Sequence, residues 1–275
     1  MLGLGLSIGS QSGETTVVQK GLPPSYSNEY AVYFDGTESI SVMSVAEQNA
    51  LFRGDFSYQF WVYDTSMAVS YALGAYYPTG VTDYDISFRF LNVGTRYLQP
   101  YFVSTSGTSM FYNVQSTFSL TDWNHIVVTV KKGATANDNA TMTTYLNGNS
   151  LGSFSAGLPT KAEQEAHSAV SSVPFLLGAR GTTGAAGNPT SAHFDEFAFW
   201  GAELDADAVA ALYNSGESIA LDSDSGDYDY SSDLKHWFRL ENDYSDETGN
   251  AADGTPGGTP AFVQSFGPGG SLTPP

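Results

Sequence analysis

The amino-acid sequence predicts an all-β fold: an antiparallel sandwich of two sheets with one short α-helix and extended arms at both ends. Three observations predict it. Short segments with apolar side chains at every second position recur along the chain, as at Ile86, Phe88 and Phe90; that period belongs to strands buried on one face. Turn formers part these segments, and Asn147-Gly148 is the strongest hairpin signal among them. Helical spacing occurs at one place, Asp205 to Ser215.

Taken in order, residues 1–24 read as an arm. Leu2, Leu4, Leu6 and Ile8 alternate with Gly and Ser, and Pro23-Pro24 ends any regular element. The alternation suits a strand added to a partner's sheet edge, while the missing positive charge and the repeated Gly argue against a cleaved signal peptide. Tyr30, Val32 and Phe34, then Asp35-Gly36, then Ile40 and Val42 predict a hairpin. Phe56 to Tyr63 is apolar or aromatic on both faces and predicts a central strand. Further strands are expected at 86–90, 97–103, 110–114, 123–130, 141–146, 151–154, 175–177 and 194–200. Asp205 can cap the helix, Leu204 and Val209 can staple its start, and Gly216 can stop it. Residues 218–249 read as an acidic linker with one more strand from Lys235 to Leu240, and residues 250–275 as a Gly- and Pro-rich tail that is loose in the free chain.

Composition narrows the partners. Ten Lys and Arg stand against 29 Asp and Glu, a net charge of −19. Nucleic-acid binding needs a basic face to displace phosphate counterions, so that class is excluded, and attraction to an anionic membrane fails for the same reason. No apolar run is long enough for membrane insertion. With no Cys, disulfides and thiolate metal sites are excluded.

Six segments resemble, in order, the laminin G-like jelly rolls of the concanavalin A-like lectin and glucanase superfamily. They are YFDG (Tyr33 to Gly36), FSYQFWV (Phe56 to Val62), WNHIVVTV (Trp123 to Val130), TYLNG (Thr144 to Gly148), FLLGAR (Phe175 to Arg180) and FDEFAFW with its following helix (Phe194 to Tyr213). The resemblance spans about 26–217 and makes 25–217 the jelly-roll domain. A seventh piece, His236 to Gly254, is similar to the family's opening strand and D-x-x-G-N loop, yet stands after the helix, as a permuted strand or the remnant of a second module would. This arrangement resembles jelly-roll proteins encoded by bacteriophages. It implies a virion structural protein, in a capsid decoration, fibre or tail, on the particle surface. Its partners would be other virion proteins or further copies of the chain, with host-surface glycans as a further contact of the lectin-like jelly roll. The alternatives are an extracellular carbohydrate-binding adhesin module and a glycosidase.

Candidate chemistry follows. A glycosidase of this superfamily needs paired carboxylates on one face, typically as E-x-D-x-x-E. Glu241, Asp243 and Asp246 come nearest but end in Asp. Asp195 and Glu196 are neighbours that a regular strand would point to opposite faces. No catalytic residue is therefore expected. Gly148 to Gly152 matches G-x-S-x-G, but on a hairpin and not on the strand-to-helix elbow that motif requires. Calcium is the expected metal, since its ligands are hard oxygens. The resemblance puts Asp246 and Asn250 in the family's calcium loop, with Asp195 near it. Asp222, Asp224, Asp227, Asp229 and Asp233 form a second acidic loop of calcium-like spacing. Tyr76, Tyr77, Tyr84, Tyr97, Tyr101 and Tyr112 are candidates for a sugar platform or for packing.

Overall fold

The computed structural model of the chain describes residues 26–63, 69–78, 83–92, 95–103, 113–115, 118–169, 172–182, 185–250, 252–264 and 267–269. Two sheets, antiparallel but for one parallel pairing in the second, face each other. The first holds β1 (Tyr30–Asp35), β3 (Phe56–Tyr63), β8 (Asn124–Lys131), β9 (Thr141–Leu146), β10 (Asn149–Phe154), β14 (Ser191–Trp200), β15 (Leu234–Phe238) and β17 (Ala261–Gln264). The second holds β2 (Ser39–Met43), β4 (Ser70–Pro78), β5 (Asp83–Asn92), β6 (Arg96–Val103), β7 (Val114–Gln115), β11 (Phe175–Leu177), β12 (Arg180–Thr182), β13 (Ala185–Gly187) and β16 (Thr255–Gly257). The first sheet runs β10-β9-β8-β3-β14-β1-β17 and the second runs β16-β2-β11-β4-β5-β6-β7. Three helices interrupt them: α1 (Val45–Phe52), α2 (Lys161–Glu165) and α3 (Ala206–Tyr213).

The main core lies between the sheets. Phe34, Phe60, Phe88, Phe90, Phe194 and Phe197 are each fully buried there. Phe60 meets Phe88 edge-on with ring centres 5.2 Å apart, the offset geometry that aromatic quadrupoles favour. A smaller core lies on the other face of the first sheet, under α3, where Val127, Trp200, Val209, Leu212, Tyr228 and Trp237 pack. That second layer is why Phe56–Tyr63 is buried at every position.

Local signals hold in detail. Asn147 and Gly148 take positive φ of 50° and 74° in the β9–β10 turn, as a two-residue hairpin requires. Asp205 caps α3, its carboxylate accepting from the Ala208 N–H at 2.8 Å. Leu204 and Val209 are both buried in the second core. Past the helix, Asn214, Ser215 and Gly216 all have positive φ, which ends it.

Four expectations are corrected. The Asp35-Gly36 turn does not close a hairpin, because β1 and β2 lie in different sheets. Asp35 accepts from the Thr37 N–H (2.8 Å) and Oγ1 (2.6 Å), and this turn carries the chain over the sandwich edge. Helix is not confined to one place, since α1 is as long as α3, eight residues each. The acidic stretch is no bare linker: Tyr228 and Leu221 are buried in the second core, and the Trp200 indole donates to the Tyr228 hydroxyl at 3.0 Å. Nor is the tail loose throughout, because β16 pairs with β2 and β17 with β1. Open strand edges offer unpaired backbone groups, so Gly- and Pro-rich sequence can join a sheet with little apolar periodicity. The strand expected from Lys235 to Leu240 is β15, which completes the same sandwich by pairing with β14.

Candidate functional site

The outer face of the second sheet combines aromatic rings with cations. Register fixes what shares that face. Tyr71, Arg89 and Gln99 lie in one row across β4, β5 and β6; Gly74, Ser87 and Tyr101 form the next; Tyr76 and Val103 belong to the third. The residues between them, such as Leu73, Ala75, Phe88 and Leu98, fill the main core. Gly74 keeps the middle row low. Its φ is 144°, and a Cβ there would meet the Ser87 Cβ at 2.2 Å.

Above that low row the side chains interleave. The Arg89 guanidinium lies 5.3 Å from the Tyr101 ring centre and 5.9 Å from that of Tyr71. Arg180, from β12, lies 4.4 Å from Tyr71 and 4.9 Å from Tyr76. Two of the chain's five arginines thus alternate with three tyrosines, each contact within cation–π range. Arg89 Nε donates to Gln99 Oε1 at 2.5 Å, and the Gln99 amide donates in turn to Asn113. Tyr71 and Tyr101 are buried, while Tyr76, Arg89 and Arg180 are half-buried and Asn113 is exposed. Tyr97 lies on the same outer face, two residues before Gln99 on β6. Tyr77 and Tyr84 pair across β4 and β5, and Tyr112 lies outside the described residues.

The candidate carboxylates fall elsewhere. Asp195 and Glu196 sit at a bulge in β14: Asp195 pairs with Trp61 and Ala198 with Gln59, leaving two residues of β14 opposite Phe60. Glu196 takes φ of 52°. The bulge turns both carboxylates to the outer side of the first sheet, correcting the expectation of opposite faces. It also marks a seam, since β1 pairs with β14 up to Phe194 and β15 from Phe197 onward. Protein donors close around the pair. Asn28 Nδ2 reaches Asp195 Oδ2 at 2.8 Å, Trp237 Nε1 reaches Glu196 Oε2 at 2.6 Å, and the Tyr26 hydroxyl donates to Glu196 Oε1. Arg239 Nε donates to the same Tyr26 oxygen at 2.9 Å, and Glu241 accepts from the N–H groups of Glu29 and Tyr30. Burial raises the Asp195 carboxyl well above the usual range, with Glu196 adding to the rise, and burial lifts Glu196 to about 7. A polar cleft of about 220 Å³ opens beside them, lined by Tyr26, Asn28, Glu217, Ser218, Pro268 and Gly269.

Asp246 does not join Asp195. It lies by the inward-facing His236, whose Nδ1 is 3.0 Å from Asp246 Oδ2, whereas Asp195 is on the outer face. Asp246 Oδ1 accepts from Trp237 N, Thr248 N and Thr248 Oγ1, and the Asn250 amide donates to the Leu234 and Lys235 carbonyls. Both Asp246 oxygens are thus engaged by protein donors, and the Asn250 amide N–H groups are spent on backbone carbonyls. In the acidic loop, Asp224 accepts from Ser231 N and Oγ, and Asp222, Asp227 and Asp229 are exposed. Among the described residues no three His, Asp or Glu groups are arranged to hold a metal, Asp233 included. Leu2, Leu4, Leu6 and Ile8 lie outside the described residues.

The aromatic run of β14 carried a signal for the bulge. Core residues Phe194, Phe197 and Phe199 are spaced three and then two, and the extra residue is the bulge.

The family model of the concanavalin A-like lectin/glucanases superfamily matches residues 35–210, and the chain belongs to this superfamily. Its fold is shared by a candidate carbohydrate-binding protein from Bacteroides ovatus. That match has a TM-score of 0.61 at 17% identity and covers 88% of this chain and 62% of the other. The chain therefore spans less than two thirds of that protein's length. The CBM40 module of Ruminococcus gnavus IT-sialidase, solved with α2,3-sialyllactose, matches with a TM-score of 0.52 at 14% identity over 66% of this chain and 96% of the module. No curated protein sequence matches the chain.

Proposed function

We propose that the chain is a non-catalytic carbohydrate-binding module whose glycan lies on the tyrosine–arginine face of the second sheet. The alternating Tyr101, Arg89, Tyr71, Arg180 and Tyr76 carry the reading. An aromatic face packs against the C–H face of a sugar ring, a role for the half-buried Tyr76, and the half-buried Arg180 and Arg89 with the exposed Asn113 place polar groups beside it for hydroxyls, over a floor of buried Tyr71 and Tyr101. Two fold relatives are, by description, a candidate carbohydrate-binding protein and a module solved with a sialylated sugar. The non-catalytic part rests on the buried acids, because Asp195 and Glu196 are fully buried and spend their oxygens on protein donors.

A glycan array tests this. The wild-type chain is expected to retain a defined set of glycans. Tyr76→Ala and Arg180→Ala, both at half-buried positions, should each weaken binding about tenfold, equivalent to about 1.4 kcal/mol, with melting temperature preserved. An array that retains no glycan, or variants that bind as wild type does, would overturn it.

Display on a virion surface is the finer form of the proposal. It is supported by the phage-like order of segments and by the alternating Leu2, Leu4, Leu6 and Ile8. Mass spectrometry of purified particles tests it, and the chain's absence from them removes it. Calcium is likewise proposed only for the exposed carboxylates of the acidic loop. Chelator should lower the melting temperature of the wild type but not of the triple variant Asp222→Asn, Asp227→Asn, Asp229→Asn. A wild-type melting temperature indifferent to chelator ends the calcium proposal.

A further inference from the structure

His236 is a buried histidine that borders a cavity. Trp237, its neighbour on β15, packs in the outer core under α3, while His236 turns the other way. Its ring stacks on Phe238 at 6.4 Å and meets Phe199 edge-on at 6.3 Å, and only 3% of the residue is exposed. Nδ1 is committed to Asp246 at 3.0 Å. Burial alone would raise the Asp246 carboxyl, but the bonds from His236, Trp237 N–H and Thr248 outweigh it and hold the carboxyl below its ordinary range. An ionised Asp246 can only accept, so Nδ1 carries a proton and Nε2 is the ring nitrogen left to face the cavity. No protein group among the described residues bonds to Nε2, and the imidazole forms part of the cavity wall.

That cavity has a volume of about 160 Å³ and lies between α1 and β15. Ala50 and Leu51 of α1 supply one wall, and Gly201 and the Lys235 side chain supply another. Gly201 makes room for the lysine stem, since a Cβ there would meet Lys235 Cε at 2.7 Å. The walls are mostly apolar. The charges at the rim are one carboxylate, Glu47, and one ammonium, Lys235, so neither sign is selected. Cavities of about 150 Å³ with aliphatic walls accept a benzene ring. A ring nitrogen oriented by a buried carboxylate, in a mostly apolar cavity of that size, defines a ligand of one ring and one hydroxyl.

We propose that this cavity binds a single neutral six-membered ring bearing a hydroxyl, its apolar face against Leu51 and the Lys235 methylenes and its hydroxyl hydrogen-bonded to His236 Nε2. A pyranose and a phenol share this chemistry. The site is separate from the tyrosine–arginine face and stands or falls without it.

The test uses the full chain labelled with ¹⁵N-histidine and two probes, methyl β-glucopyranoside and phenol. A saturable shift of the His236 Nε2 resonance is expected at millimolar concentration of at least one probe, with His125, His167 and His193 unmoved. A response to the glycoside alone assigns the site to sugars, to phenol alone to aromatic alcohols, and to both confirms the shared chemistry. Changing His236 itself can unfold the chain by stranding Asp246, so the control is Ala50→Trp, an exposed position that plugs the cavity. This variant should melt as wild type does and lose the response at least tenfold. No shift of His236 with either probe in the folded wild type overturns the proposal, as does a response that survives in Ala50→Trp. Tyr76→Ala should leave the response unchanged, which separates failure here from failure of the glycan face.

Discussion

Burial favours the protonated form of Glu196 in the folded chain. Burial raises its folded pKa to about 7, above its ordinary value of 4.5, and Asp195 beside it is raised too. Asn28, Tyr26, Trp237, Arg239 and Glu241 complete its surroundings. Between those two pKa values the folded state binds more protons than the unfolded one. The contribution is therefore fully present below about 4.5 and is lost as pH rises through about 7. Burial has the opposite effect on His125, His167 and His193, lowering them to about 3, 4 and 4. Their contribution is present above the ordinary histidine value of 6.5 and is lost as pH falls. Glu196→Gln should thus remove the falling contribution and leave the rising histidine one, so that stability at pH 8 relative to pH 5 increases over wild type by on the order of 1–3 kcal/mol, measured by urea unfolding at each pH. A variant with the wild-type slope would show that Glu196 does not titrate in this range. The identity of these residues was plain in the sequence, but their partnership was not. Alternation assigns neighbours to opposite faces, and one extra residue between Phe194 and Phe197 reverses that assignment. Nothing local links Asn28 or Tyr26 to positions about 170 residues away.

Short elements show where sequence patterns reach and where they stop. α1 and α2 each begin with a capping box, Ser44 with Glu47 and Thr160 with Glu163. That signature was present in the sequence, but neither helix has a long apolar face to go with it. The Asn147-Gly148 hairpin was legible because its backbone demands are local. The Asp35-Gly36 turn looked similar, yet whether a turn closes a hairpin or crosses between sheets depends on which partner each strand finds. β16 and β17 were invisible for the same reason: their place is set by open edges on β2 and β1. Phe262 packs on Tyr244 with ring centres 5.1 Å apart and borders the main core. Deleting residues 255–275 should therefore destabilise the sandwich by about 1–3 kcal/mol, the range for burying one large apolar side chain. Urea denaturation measures it, and an unchanged midpoint would make these strands dispensable.

At the scale of the molecule, β14 organises the sandwich. Its one edge takes β3 along its length, and its other edge is shared end to end by β1 and β15. The tyrosine–arginine face depends on this frame only indirectly, through the core that holds the second sheet flat against the first. The jelly-roll class was legible from six segments in order, whereas the face was not. Arg180 comes from a strand about ninety residues beyond Arg89, and only β12 lying parallel to β4 brings them over the same ring. One consequence of the β1–β17 pairing concerns connectivity. Tyr30 lies opposite Gln264, and a Cβ at Gly267 would meet the Asn28 backbone oxygen at 3.1 Å. The entering and leaving backbone thus share one corner, with the tyrosine–arginine face on the opposite sheet. Such a unit can be spliced into a loop of a larger protein or circularly permuted. Joining the two flanks and reopening the chain in the exposed turn at Ala136-Asn137 should give a protein with the same far-ultraviolet spectrum and a cooperative melt. Loss of cooperative unfolding would mean that the sandwich needs its strands in their present order.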